Sequence, residues 1–194
     1  MNRDIISNAK TVQVSRRSFL KKSAIVAGGA IVTQDELFAN STSTEVKTLK
    51  LRNVHEGKMY EAAFFEKDCY KLRGLFEVNK AFIDYRAKEI TRIDVDLINL
   101  LYEINTHVGL EKEFDVVSGY RSERTNAKLR RTMSGVAKES YHIKGKAVDI
   151  YVPGVSLRKL RDIAMGLGRG GVGYYPRSNF IHVDVGPVRT WRKG

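Results

Sequence analysis

Alternation of apolar and polar residues first becomes regular at Leu49-Lys-Leu-Arg-Asn-Val-His55. Glu56-Gly57-Lys58 interrupts the pattern, and Met59 to Phe65 is again rich in apolar residues, so the segment predicts a β-hairpin. Asp68 to Gly74 carries no clear period. Leu75 to Tyr85 and Asp94 to Val108 follow helical spacing. In the second of these Leu97, Leu100, Leu101, Ile104 and Val108 share one face, and Thr91 to Asp94 supplies a polar lead-in suited to capping.

The second half of the chain changes character. Phe114 to Val117 predicts a short strand ending at Ser118-Gly119, and the polar, basic stretch from Arg121 to Lys138 predicts a helix. Ala147 to Val152 and Ile181 to Val185 alternate as strands, with a helix between them over Ser156 to Leu167. Gly168 to Gly173 reads as a glycine-rich loop leading into Tyr174-Tyr175-Pro176. The expected class is α+β, with helices packed on a small, mostly antiparallel sheet.

The two-residue period of a strand sorts the chemistry of this half. Val148, Ile150 and Val152 share one face of the first strand, so Asp149 points the other way. Ile181, Val183 and Val185 do the same in the second, leaving His182 and Asp184 opposite. Neighbouring strands would bring Asp149 and His182 together, and the turn at Gly145 would swing His142 towards them. Two histidines and a carboxylate suit Zn²⁺, with a fourth position left for water whose pKa the metal lowers towards about 7. Singly, each residue reads as a loop histidine or a solvated carboxylate. Together they use two of only four histidines in the chain.

Composition narrows the picture further. The 194 residues, 42% hydrophobic and 29% charged, are enough for one domain with a real core. A lone cysteine, Cys69, excludes an internal disulfide and a thiolate-rich zinc site, and is expected to pack as a small hydrophobe. The net charge of +12 favours an anionic partner. Residues 1–39 hold six basic and three acidic side chains, which leaves +9 on the body. Charge alone admits nucleic acid, but no aromatic and basic reader pattern accompanies it, so that class is set aside.

The N-terminus reads as an address. Ser15-Arg16-Arg17-Ser18-Phe19-Leu20-Lys21 precedes the small and apolar run Ala24 to Val32, and Leu37-Phe38-Ala39 offers a cleavage site. The run is far shorter than the roughly 20 residues of a spanning helix, so no stable membrane anchor is expected. The paired arginines resemble the bacterial twin-arginine export signal, which implies the twin-arginine export machinery as a partner and the periplasm as destination. The expected organisation is a signal over 1–39, a polar linker over 40–48 and a catalytic domain over 49–194.

Ser140-x-His142-x-x-Gly145-x-Ala147-x-Asp149 resembles the signature of the zinc D-alanyl-D-alanine metallopeptidase family. Leu51-Arg-Asn-x-His55-x-Gly57, Ser118-Gly-Tyr-Arg-Ser122, Gly170-Gly-Val-Gly-Tyr-Tyr-Pro176 and His182-Val-Asp184 are similar to its murein endopeptidase K branch. The resemblance implies His142, Asp149 and His182 as zinc ligands. It implies Arg121 as the group that binds substrate or steadies the oxyanion, and peptidoglycan as the substrate whose peptide cross-links are cut. Ser140 is expected to bond the substrate or hold the site in shape. Several relatives place a Glu or His two or three residues before the last ligand; Phe180 and Asn179 stand there instead. Asp184 is then the candidate general base, or a partner that orients an imidazole, with Glu139 a weaker candidate base. A D-alanyl-D-alanine carboxypeptidase and a non-catalytic, metal-containing wall-binding module are the alternatives. Trp191 is expected to anchor packing, and His55 and His107 to be structural.

Overall fold

The hairpin forms where the alternation places it. Strand β1 (Lys47–Asn53) pairs antiparallel with β2 (Lys58–Glu66), with Leu51 opposite Tyr60. This structure is a computed structural model, and it describes residues 45–133 and 136–194. The turn that follows β2 uses left-handed backbone at Lys67 and Asp68 and leads into the two-residue strand β3 (Cys69–Tyr70). Cys69 is exposed there, contrary to the packed position expected of it, because β3 is an edge strand.

Helix α1 (Leu72–Ala81) starts and ends earlier than Leu75 to Tyr85, since Asp84 and Glu89 form an isolated β-bridge beyond it. It lies hard against β2: a Cβ on Gly74 would collide with the backbone of Ala63. Helix α2 (Val95–Val108) is capped by Asp94, whose side chain accepts from Asp96 N at 2.9 Å. Its apolar face carries Leu97, Ile98, Leu101 and Ile104, all fully buried. Burial of each such side chain contributes about 1.5–3 kcal/mol.

Strand β4 (Glu113–Ser118) then runs parallel to β1, and α3 (Glu123–Thr132) follows, capped by Ser122. Strand β5 (Ala147–Tyr151), helix α4 (Leu157–Leu167), β6 (Gly171–Tyr175), β7 (Phe180–Asp184) and β8 (Arg189–Arg192) complete the chain. The sheet has eight strands in the order β3-β2-β1-β4-β5-β7-β6-β8. Only the β1–β4 and β6–β8 pairs are parallel, so the class is α+β and mostly antiparallel, although the sheet is larger than expected. Part of the difference is β6, where Gly171 to Gly173 are strand residues rather than loop. Helices α2 and α4 pack on each other, α2 also meeting β1, and α4 also meeting β6 and β7. Val148, Ile150, Ile181 and Val183 are fully buried in the core. Among the described residues no helix is long and apolar enough to cross a membrane.

Candidate metal centre

Strands β5 and β7 are neighbours, and their register sets Asp149 directly opposite His182. Both point away from the face that carries Val148, Ile150, Ile181 and Val183, as the period of two requires. His142 arrives from the turn before β5, where Gly145 has a φ of 65° and a Cβ would strike Arg92 O. Three donor atoms converge as a result. His142 Nε2 lies 3.2 Å from His182 Nδ1 and 3.3 Å from Asp149 Oδ1, and His182 Nδ1 lies 2.9 Å from Asp149 Oδ1. Tetrahedral ligands at zinc bond lengths stand about 3.3 Å apart, so this triangle fits a zinc ion. All three residues are nearly or fully buried, a setting in which uncompensated polar groups are costly.

The remaining ring nitrogens fix the tautomers. His142 Nδ1 is 2.7 Å from the carbonyl of Gly119, which can only accept, so Nδ1 donates and Nε2 keeps its lone pair. That carbonyl comes close because Gly119 has no side chain; a Cβ would meet Phe82. His182 Nε2 likewise donates to Asp184 Oδ2 at 2.9 Å, which frees Nδ1. Burial drives His142 towards its neutral form. Burial also opposes charge on His182, but hydrogen bonds to Asp149 and Asp184 overcome it and raise its pKa, so without a metal Nδ1 carries a proton that a cation would replace. For Asp149 burial works upward, yet His142 and His182 outweigh it and hold the carboxyl far below the ordinary range. A buried anion between two imidazoles is prepared for a cation.

The other expected site residues fall into place around this triangle. Arg121 Nη2 donates to Asp149 Oδ2 at 2.6 Å, and its Nε donates to Ser118 Oγ at 2.9 Å. It therefore grips the carboxylate that the sequence pattern marks as a ligand. Ser140 is buried, and its Oγ accepts from His142 N at 3.3 Å. Asp184 is fully buried, and both its oxygens are engaged. Oδ1 accepts from Gly171 N, Gly186 N and Arg189 Nη1, and Oδ2 from His182 Nε2 and Arg189 Nη2. His182 and Arg189 hold its carboxyl well below the usual range against the effect of burial. His107 sits on an exposed helix end, away from the donor triangle.

A groove of about 390 Å³ opens over the donor triangle. On one side are His55 and Arg86, beyond β4; on the other are Tyr175, Phe180 and Trp191, carried by β6, β7 and β8. Leu129, Met133, Val136 and Ala137 add an apolar wall. Trp191 thus lines the site. Its ring centre lies 5.2 Å from that of His182, and its Nε1 donates to Tyr175 Oη at 2.9 Å. Phe180 stacks on Tyr175 with ring centres 4.6 Å apart, and Asn179 takes left-handed backbone at the preceding turn. The two positions before His182 at which an acid or histidine would be expected therefore build a wall and a turn. Arg86 and Tyr175 are groove residues that sequence reasoning did not single out. The alternation of Gly171 and Gly173 in step with His182 and Asp184 was the available signal for a bare strand face.

A groove whose floor gathers two imidazoles and a carboxylate at one point defines a protein with a place for a metal ion beneath a substrate-sized cleft. Residues 41–191 match the family model described as Peptidase_M15_2, peptidoglycan L,D-endopeptidase MepK. The chain is 41% identical over 177 residues to the peptidoglycan L,D-endopeptidase MepK of Escherichia coli strain K12, covering 91% of this chain and 97% of the relative. It is 41% identical over 182 residues to the probable peptidoglycan L,D-endopeptidase MepK of Haemophilus influenzae, covering 93% and 97%. No solved structure matches. The chain belongs to the MepK family of peptidases.

Proposed function

We propose that this protein is an exported, zinc-dependent endopeptidase that hydrolyses L,D-type peptide cross-links of peptidoglycan in the periplasm. The observation that carries the reading is the groove, which continues across the sheet on both sides of the donor triangle and so leaves room for peptide on both sides of a scissile bond. A basic body suits a wall polymer rich in carboxylates.

His142 Nε2, Asp149 Oδ1 and His182 Nδ1 would hold the zinc. A bound zinc ion supplies Lewis acidity, polarising a carbonyl and making water acidic enough to yield hydroxide near neutral pH. Arg121 orients the Asp149 carboxylate and presents permanent positive charge where the carbonyl oxygen becomes negative. Glu139 and Asp149 are the acids lining the groove. With Asp149 committed to the metal and Asp184 outside the groove lining, Glu139 would take a proton from water and return it to the leaving amine. Asp184 holds His182 in its metal-binding tautomer and Ser140 anchors the backbone of His142.

Digestion of purified peptidoglycan, with chromatography of the products, tests this reading. Cross-linked dimers should become monomers, a chelator should stop the reaction, and added zinc should restore it. Elemental analysis should give one zinc per chain, lost in His142→Ala and His182→Ala. Release of terminal D-alanine with dimers left intact would make the protein a carboxypeptidase. Zinc binding and wall binding without any product would make it a binding module.

A further inference from the structure

We propose that Arg86 forms a subsite that binds a free carboxylate of the substrate, on the β4 side of the donor triangle; the inference rests on the endopeptidase reading. Three arginines line the groove: Arg86, Arg121 and Arg189. Arg121 is engaged with Asp149, and Arg189 with Asp184. Arg86 has no carboxylate partner among the described residues, and Glu139, on the same groove, makes no ion pair with it.

The side chain is nevertheless held in place. Its Cζ lies 4.2 Å from the ring centre of Tyr85, and that ring stacks on His55 with centres 3.6 Å apart. His55 is fixed in turn, its Nε2 donating to Val117 O at 2.9 Å. The backbone beneath is bolted down by Asp84, which is buried. Its Oδ1 accepts from Arg86 N at 3.1 Å and Ala87 N at 3.2 Å, while its Oδ2 accepts from Ser122 N and Ser122 Oγ, both at 2.9 Å. Asp84 thereby ties the Arg86 turn to the turn that carries Arg121. Arg86 is exposed, yet its ring contact and the bonded turn beneath it hold the guanidinium at the groove edge. A flat guanidinium resting on an aromatic ring, with its charge unanswered inside a substrate groove, matches the planar, two-oxygen geometry of a carboxylate. Peptide stems of the wall polymer offer that group as a chain terminus or as a side-chain carboxylate.

The test compares native cross-linked dimers with dimers amidated at the terminal carboxylate or, separately, at the side-chain carboxylate. Binding is measured by calorimetry on zinc-free protein, and kcat and KM on the zinc form, for the wild type, Arg86→Gln and Arg86→Lys. Arg86 is exposed, so neither variant disturbs the core. Arg86→Gln should weaken binding and raise KM about tenfold or more, with kcat within about twofold and zinc content unchanged. Arg86→Lys should fall between. One of the two amidated dimers should bind the wild type as weakly as the native dimer binds Arg86→Gln, which identifies the carboxylate; for Arg86→Gln that amidation should make no difference. Equal binding of all three dimers by the wild type, binding of none, or an equal loss on every dimer in Arg86→Gln overturns the subsite. Carboxylate-dependent binding without cleavage would count against the endopeptidase reading alone.

Discussion

Asp184 shows what a single residue's neighbours decide. Its place on the His182 face follows from alternation, and that alone left it as either a proton acceptor or a partner for an imidazole. In the folded chain it sits under His182, bonded on both oxygens and outside the groove lining. With both oxygens bonded in this way, we propose that Asp184 positions His182 rather than carrying a proton. Asp184→Asn should lower zinc affinity by about 10–100-fold while leaving most of kcat at saturating zinc. Titration with a zinc indicator, run beside turnover assays, separates the cases: full zinc with no turnover would make Asp184 the proton carrier after all. The donor set itself was legible because alternation and one glycine turn were enough to align three residues. Arg86 was not legible, since nothing in the local sequence distinguishes it from the other basic side chains; its platform is built from His55 and Asp84, which are distant or buried.

At the scale of elements, β6 is the informative case. A run of Gly170, Gly171 and Gly173 is ordinary loop punctuation in sequence. Strand pairing gives it another meaning. Gly171 and Gly173 face the same side as Asp184 and His182, and a Cβ on either would run into the side chains of Arg189 or Trp191 folding over from β8. The bare strip lets an edge strand two places away contribute to the site. Gly173→Ala would place a Cβ 2.5 Å from Trp191 Cε2, so the ring must shift. A several-fold rise in KM is expected, with unchanged zinc content and a stability loss of about 1–3 kcal/mol. Trp191 is the only tryptophan in the chain, so its fluorescence reports the displacement directly. An unaltered emission spectrum together with unaltered KM would remove Trp191 from the groove wall.

For the whole molecule, the proposed export signal and the proposed catalytic site can be tested separately. The segment proposed as a twin-arginine address lies outside the described residues, and its test is cellular. Arg16→Lys combined with Arg17→Lys should leave unprocessed protein in the cytoplasm on fractionation, whereas normal periplasmic accumulation would point to another route. The sequence by itself determined the α+β class, the central strands and the His142, Asp149 and His182 triad, because period-two alternation and glycine turns are local properties. It also carried the family resemblance. Only the tertiary structure decided that β5 lies beside β7 and that β8 returns to cover β6. It alone decided that Asp184 is enclosed while Arg86 stays unpaired over Tyr85. Those facts depend on which distant segments pair and on how closely their backbones approach, and no local period encodes either.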